Sequence, residues 1–491
     1  ARRSPSIPLA KTAVRGANQQ KEVNMIKQTL VFAAVAAVFG SAQAANPDAV
    51  IIGAGGAGLT AAVTLTDLGH SVVVLEKMPM VGGNTVRAEG GINAAETEQQ
   101  KKAGIPDTCD QFFSDTMKGG HDINDARLVR TMTTHAKDSV AWLTSLGADL
   151  NTVGRAGGAK FNRAHRPTDG SAIGPEVIRV LWKATKDRKI DVRTQSRAVE
   201  ILTDKTGAVA GVRVSSKDGK TYTIDSKAVV LATGGFGANQ DLLVKYQPKL
   251  KGYATTNQPG ATGDGILLAE KIGAATVDMN QIQAHPTASP DGTLISESVR
   301  GDGGILVNAE GRRFTNELLT RDVVSANELK QPGKFAWIIW DEATRKTAKL
   351  MDSYKKLGLT VEGNTVAELA RAINVPTDAL EATMTQYAKD KAAGKDSAFG
   401  RPDMPQALQT PPYYAVKVQP AVHHTMGGLK IDTKAEVLDV KGAPIPGLFA
   451  AGEVTGGAHG GHRLGGNAQA DIVTFGRIAG QTADAYLKAA K

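Results

Sequence analysis

Between Ala49 and Glu76 the chain reads strand, glycine turn, helix, strand and acid, an order that few folds accept. The apolar run Ala49-Val50-Ile51-Ile52 predicts a buried parallel strand. Gly53, Gly55 and Gly58 follow at the G-x-G-x-x-G spacing where such a strand turns into a helix. Glycines there let backbone approach a pyrophosphate, and the helix that begins beside Ala57 offers unpaired N–H groups and the positive end of its dipole. Val72-Val73-Val74-Leu75 is the next strand, and Glu76 ends it where a ribose hydroxyl needs an acceptor. A glycine motif alone would mean little. Here every neighbour agrees, so the segment predicts a dinucleotide site in an α/β fold.

From Ala49 to about Asp278 short apolar strands alternate with helical stretches, and Val229-Val230-Leu231 runs into a second glycine turn at Gly234-Gly235-Phe236-Gly237. Residues 280–424 read as a mixture, with Trp337 to Trp340 strand-like and Val366 to Ile373 and Thr377 to Lys391 helical. Leu448 to Glu453 then restores the strand-and-glycine pattern, and Asp471 to Lys488 reads as a closing helix. The expected organisation is a nucleotide domain in two parts, 45–279 and 425–491, with a domain inserted at 280–424 and a cleft between them.

The N-terminal stretch is of another kind. Met25-Ile26-Lys27, the apolar run Leu30 to Phe39 and Ser41-Ala42-Gln43-Ala44 predict a signal peptide over 25–44, cleaved near Ala44, and the run is too short to span a bilayer. Residues 1–24 form a leader extension ahead of it. Residues 1–44 hold six basic side chains and one acid, so they account for five of the formal net charge of +9. The remaining excess is mild, which argues against nucleic acid and suits an anionic substrate. Cys109 is the only cysteine, which excludes an internal disulfide, a cysteine metal cluster and a C-x-x-C-H haem site.

The motifs further along are specific. Gly82-Gly83-Asn84-Thr85, Ala284-His285-Pro286-Thr287, Ile295 to Gly301, Thr320-Arg321-Asp322, His423-His424-Thr425-Met426-Gly427-Gly428, Gly452 to Gly457 and His462-Arg463-Leu464-Gly465-Gly466-Asn467 stand in this order. From about residue 49 onward the chain resembles the soluble, periplasmic fumarate reductases of the flavocytochrome c type. The resemblance implies a Rossmann-like FAD-binding domain with an inserted α+β capping, or clamp, domain. It assigns the FAD to Gly53, Gly55, Ala57, Gly58, Glu76, Asn84, Thr85, Gly90, Gly91, Asp264, His424, Glu453, Leu464, Ala468 and Ile472. It also places a structural sodium ion on backbone carbonyls of Thr425, Met426, Gly427, Glu453 and Thr455.

For the substrate, the resemblance implies that His285 and Ser296 hold one carboxylate of fumarate, that His423 and Arg463 hold the other, and that Arg321, Gly91 and Gly466 also touch it. A dianion needs such groups at both ends, and the arginine fork binds a carboxylate through two hydrogen bonds. Twisting one carboxylate out of conjugation leaves an alkene carbon electron-poor, ready for hydride from flavin N5. The resemblance further implies that the other carbon takes its proton from Arg321, resupplied through Glu297 and Arg300. Arginine ordinarily stays protonated, so donation and resupply are expected to be nearly concerted. Ser296 stands where the family commonly has threonine, and His462 where asparagine is usual.

Taken singly, an arginine or glutamate is more often a solvated surface residue, and a histidine a structural one. His285, His423 and His424 are scattered and lack a carboxylate partner motif, so zinc is not expected. Asn84 to Gly91 contains no histidine to bond the flavin, so FAD is expected to be non-covalent and the reaction to favour fumarate reduction over succinate oxidation. No haem domain is read in the chain, so electrons are expected from a separate donor, a periplasmic or membrane cytochrome. The chain is not expected to be an integral membrane protein. The rival readings are a reductase of another 2-enoate, such as urocanate, methacrylate or a cinnamate-like acid, and a non-catalytic electron-transfer flavoprotein. The last would not need Arg321, Arg463 and Glu297 together.

Overall fold

Residues 46–490 are described by the computed structural model, so the expectations for 1–24 and 25–44 lie outside the described residues. A six-stranded sheet carries the glycine turn. Its order is Glu436–Leu438, Pro444–Ala450, Ala228–Leu231, Ala49–Ile52, Val72–Leu75 and Asp191–Arg193. All neighbours pair in parallel except the edge strand Glu436–Leu438, which is antiparallel. Every residue of Ala49–Ile52, Val72–Leu75 and Ala228–Leu231 is buried, as expected of central parallel strands covered on both faces. The helices Gly56–Asp67 and Asn467–Ala489 pack against each other beside this sheet. The closing helix starts four residues before the position read from sequence, directly after the left-handed Gly466 (φ +85°).

The strand-and-helix alternation does not hold throughout the first part. Arg197–Thr203, Val209–Ser215 and Thr221–Asp225 form an antiparallel meander whose tight connections contain Gly207 and Gly219, both at positive φ. Alternating burial along Thr221–Asp225 shows one face on the core and one toward solvent.

A second large sheet is antiparallel, in the order Ile282–Ala288, Tyr413–Thr425, Ala336–Asp341 and Ile305–Val307, with Val361–Gly363 also paired to Tyr413–Thr425. Period-two alternation splits its side chains between two cores. Ala336, Ile338 and Trp340 face one with Tyr354, whereas Ile339 faces the other with Leu380 and Tyr387. The helix Arg321–Glu328 lies against Ile282–Ala288, so the site motifs from 283 to 328 are held by a strand and a helix in contact. Among the described residues no helix is long and apolar enough to cross a membrane.

Candidate active site

The three motif glycines serve different ends. A Cβ on Gly58 would lie 1.9 Å from the Gly53 carbonyl oxygen, so that glycine lets the helix pack on the strand. Gly53 has φ +108°, and its Cβ would meet the Ala232 carbonyl at 2.3 Å. Gly55 has ordinary extended backbone (φ −78°, ψ −174°), and a Cβ there would meet nothing closer than 3.9 Å. Nothing in the protein requires glycine at 55. What a side chain would fill is the cavity onto which it opens, lined also by Ala57, Glu76, Asn84, Thr85 and Asp264. No side chain caps the helix that starts there, as suits an anion at its N-terminus. Glu76 is fixed at the wall by the Ala54 and Met78 N–H groups, which donate to Oε2 at 2.9 Å and Oε1 at 2.8 Å. Burial pushes Asp264 up, but the Thr262 hydroxyl, Lys77 and Arg197 hold its carboxyl below the usual range.

A second cavity meets the first at Asn84, Thr85, Glu453 and Ile472. It brings together His285, Ser296, Glu297, Arg321, His423 and Arg463 from five segments of chain. His285 and His423 lie on the paired strands Ile282–Ala288 and Tyr413–Thr425, with ring centroids 4.9 Å apart. The Thr287 N–H donates to His285 Nδ1 at 3.2 Å, which puts the neutral ring's proton on Nε2. His423 Nδ1 pairs with the Thr256 hydroxyl at 2.7 Å. Burial, with Arg321 nearby, drives both imidazoles well below their ordinary value, so both are neutral at pH 7. Ser296 caps the short helix Glu297–Gly301, accepting the Ser298 N–H at 3.2 Å, and keeps its own hydroxyl proton to donate.

The cationic groups share few partners. Arg321 donates through Nε at 2.9 Å and Nη2 at 2.6 Å to one oxygen of Glu297, and through Nη1 to Gln283 Oε1 at 3.2 Å. Arg463 donates to the same Gln283 oxygen at 3.1 Å and to the Leu464 carbonyl at 3.0 Å, and its Nε has no partner among the described residues. Arg300 is fully buried 3.7 Å from the other Glu297 oxygen. Burial opposes the Glu297 charge, yet Arg321 and Arg300 outweigh it and hold the carboxyl at about 2. Burial and Arg321 press Arg463 down to about 9, which leaves it protonated at neutral pH. Glu328, another buried acid near Arg300, has no hydrogen-bond partner on either oxygen among the described residues, and burial pushes it well above the carboxylate range. Arg321 and Arg463 thus bring two buried guanidiniums to the cavity wall beside His285 and His423, an arrangement that suits an anionic ligand.

The FAD binding domain family matches residues 48–468. The chain belongs to that family. It is 49% identical over 453 residues to the fumarate reductase (cytochrome) of Shewanella frigidimarina, covering 92% of this chain and 79% of the relative. It is 44% identical over 484 residues to the NADH:fumarate oxidoreductase of Klebsiella pneumoniae, covering 96% of this chain and 52% of that one. The open conformation of a flavocytochrome c3 fumarate reductase superposes with a TM-score of 0.77 at 45% identity, over 94% of this chain and 81% of that one.

The first cavity is the one onto which the glycine turn and Glu76 open. The α/β fold and FAD follow from family and structure together. Gly90, Gly91, His424 and Ala468 line the second cavity, whereas Gly58, Gly466 and Leu464 line neither. Gly466 approaches the Asn93 side chain, and Leu464 packs toward Gly119 and Gly158. Arg300 also sits behind the wall, reached through Glu297. Leu429 pairs with the segment Val454 to Gly456, its N–H donating to the Val454 carbonyl at 2.8 Å, and Thr425 meets Glu453 where its N–H donates to Oε1 at 3.0 Å. Sequence reading passed over Gln283, whose one oxygen orders both substrate-side guanidiniums. Its signal was its place two residues before His285 on a strand.

Proposed function

We propose that the chain is an FAD-dependent fumarate reductase that converts fumarate to succinate with electrons from a separate donor, a periplasmic or membrane cytochrome. The observation that carries this reading is the pair of buried guanidiniums, Arg321 and Arg463, in a cavity that meets the flavin cavity at four residues. Kinship to fumarate reductases at 44–49% identity supports it. Bound FAD, held by the Gly53 to Ala57 turn, Glu76, Asn84, Thr85 and Glu453, supplies the electron pair as a hydride from N5.

The chain's own residues do the rest. Nε2–H of His285 and the Ser296 hydroxyl donate to one carboxylate. His423 and Arg463 take the other, which meets the unpartnered Arg463 Nε. These clamps would hold the alkene against Arg321 and stabilise charge that develops in the twisted carboxylate. Arg321 gives the proton to the carbon opposite the hydride, and Glu297, in contact with two Arg321 nitrogens, resupplies it with Arg300 behind. The FAD is non-covalent and leaves the protein on acid precipitation. Backbone carbonyls of Thr425, Met426, Gly427, Glu453 and Thr455 hold a sodium ion, and the mature protein is exported to the periplasm with Ala45 near its N-terminus.

The test is a panel of 2-enoates with reduced viologen as donor. Fumarate is expected to exceed monocarboxylic 2-enoates in kcat/KM by at least about thirtyfold, the least that one lost buried charged contact costs. Preference for a monocarboxylic or ring-bearing 2-enoate would replace fumarate as the substrate.

A further inference from the structure

One acid in the substrate cavity has no part in the mechanism above. Glu89 lines the wall with His285 and Ser296, in the segment between the flavin turn and Gly91. It touches the other sheet's core through a single bridge. The Tyr354 hydroxyl donates to Glu89 Oε2 at 2.8 Å and accepts the Ser296 N–H at 2.8 Å. Tyr354 is fully buried and belongs to the helix Leu350–Lys356, packed in the core that contains Trp340. Glu89 is thus tied to the residue proposed to hold one end of the substrate, and it faces the space that a dianion would enter.

A carboxylate there would oppose the carboxylate beside Ser296. We propose that Glu89 is a specificity-determining residue that gates the cavity by its own charge, admitting a dicarboxylate as the neutral acid and excluding it once ionised. The proposal rests on the fumarate reading above and adds a pH limit to it.

The surroundings support a neutral acid at pH 7. Burial raises the Glu89 carboxyl to about 8, with Tyr354 and the Ser296 backbone pulling the other way. The direction of the pH dependence follows: the gate is open below about 8 and closes as pH rises through it. Other groups on this cavity titrate elsewhere. Tyr354 is pushed well above 10 by burial and Glu89, while His285, His423 and His424 stay neutral far below 7. Glu297 is already ionised, and the other charged groups on the cavity wall are Arg87, Arg155, Arg166 and Arg321. Glu453, at the flavin junction, is raised by burial, and Arg463 falls to about 9. Both remain in a Glu89→Gln variant, which separates them from Glu89.

The experiment follows kcat and KM for fumarate from pH 6.5 to 9.5 in the holoenzyme and in Glu89→Gln, with succinate affinity read in parallel from the flavin absorbance. Wild type should show KM rising about tenfold between pH 7 and 9 with kcat steady, as one ionisation that blocks binding requires. Glu89→Gln should flatten that rise, and Tyr354→Phe, which removes a donor to the carboxylate, should move it to higher pH. The infrared difference between wild type and Glu89→Gln should show a protonated carboxyl band at pH 7 that disappears near pH 8. The same KM rise in Glu89→Gln, or no such band at pH 7, overturns the gate. Absence of fumarate turnover and succinate binding at every pH overturns the fumarate reading itself, a different result from turnover with a pH-insensitive KM.

Discussion

The two cavities that meet at Asn84 and Glu453 are built from opposite materials. The flavin cavity is made by backbone and by a missing side chain: Gly55 leaves open a space that the protein around it could have filled. The substrate cavity is made by side-chain charge, with Arg321 and Arg463 leaning on one Gln283 oxygen and Glu297 ionised between Arg321 and Arg300. A backbone cradle depends on volume, so it tolerates changes of charge and fails on added atoms. A charge cluster behaves the other way, because each buried guanidinium left unpaired costs more than a small loss of packing.

The largest effect should come from a substitution that the cradle's own packing forbids. Gly58→Val forces a side chain onto the Gly53 carbonyl at under 2 Å and should yield no folded protein by circular dichroism. Gly55→Val sharpens the comparison, since its Cβ has room in the protein and only the cofactor's space is lost. It should keep the far-ultraviolet spectrum and a cooperative melt but purify colourless. A yellow Gly55→Val protein would break the claim that this glycine serves the ligand.

On the charged side the expected pattern reverses, with flavin kept and turnover lost. Glu297→Gln should lower kcat by about 10²–10⁴-fold, the range of a lost acid–base group, while fumarate KM changes little. Arg463→Met should weaken both, with fumarate affinity down by at least about thirtyfold, because it deletes a carboxylate clamp whose Nε is otherwise unpartnered. An Arg463→Met enzyme with unchanged KM would move the second carboxylate elsewhere. The smallest effect is a null one. Burial and Arg321 hold His285 and His423 well below 6.5, so neither gains a proton as pH falls from 7.5 to 6, and fumarate KM should stay level. A KM inflection near 6.5 would show a histidine of ordinary basicity in the site.

The same contrast explains what could be read from sequence. The cradle lies within Ala49 to Glu76, and each of its requirements is local: a buried strand, glycines at fixed offsets, an acid ending the next strand. Motif reading therefore reached it directly. The substrate cavity draws on residues from 84 to 472, and no local pattern says that Gln283 will lie between Arg321 and Arg463 or that Tyr354 will reach Glu89. Resemblance supplied the arginines and histidines, because they sit in recognisable motifs. Gln283 and Glu89 carry no motif of their own and needed coordinates. The antiparallel meander Arg197–Thr203 to Thr221–Asp225 was passed over for a related reason: register shifts break the alternation along Arg197–Thr203, and Thr221–Asp225 is only five residues long.

The proposal that matters most is that Arg321 delivers the proton, and the direct test separates that step from binding. Arg321→Lys keeps a positive charge but cannot span both the substrate carbon and Glu297, which Arg321 now contacts through Nε and Nη2. Reduced enzyme mixed with fumarate in a stopped flow, with flavin reoxidation followed by absorbance, reads the transfer itself. The expected result is a normal flavin content and reoxidation slowed by about 10²–10⁴-fold. Reoxidation within a few-fold of wild type would contradict the account and assign the proton to another group.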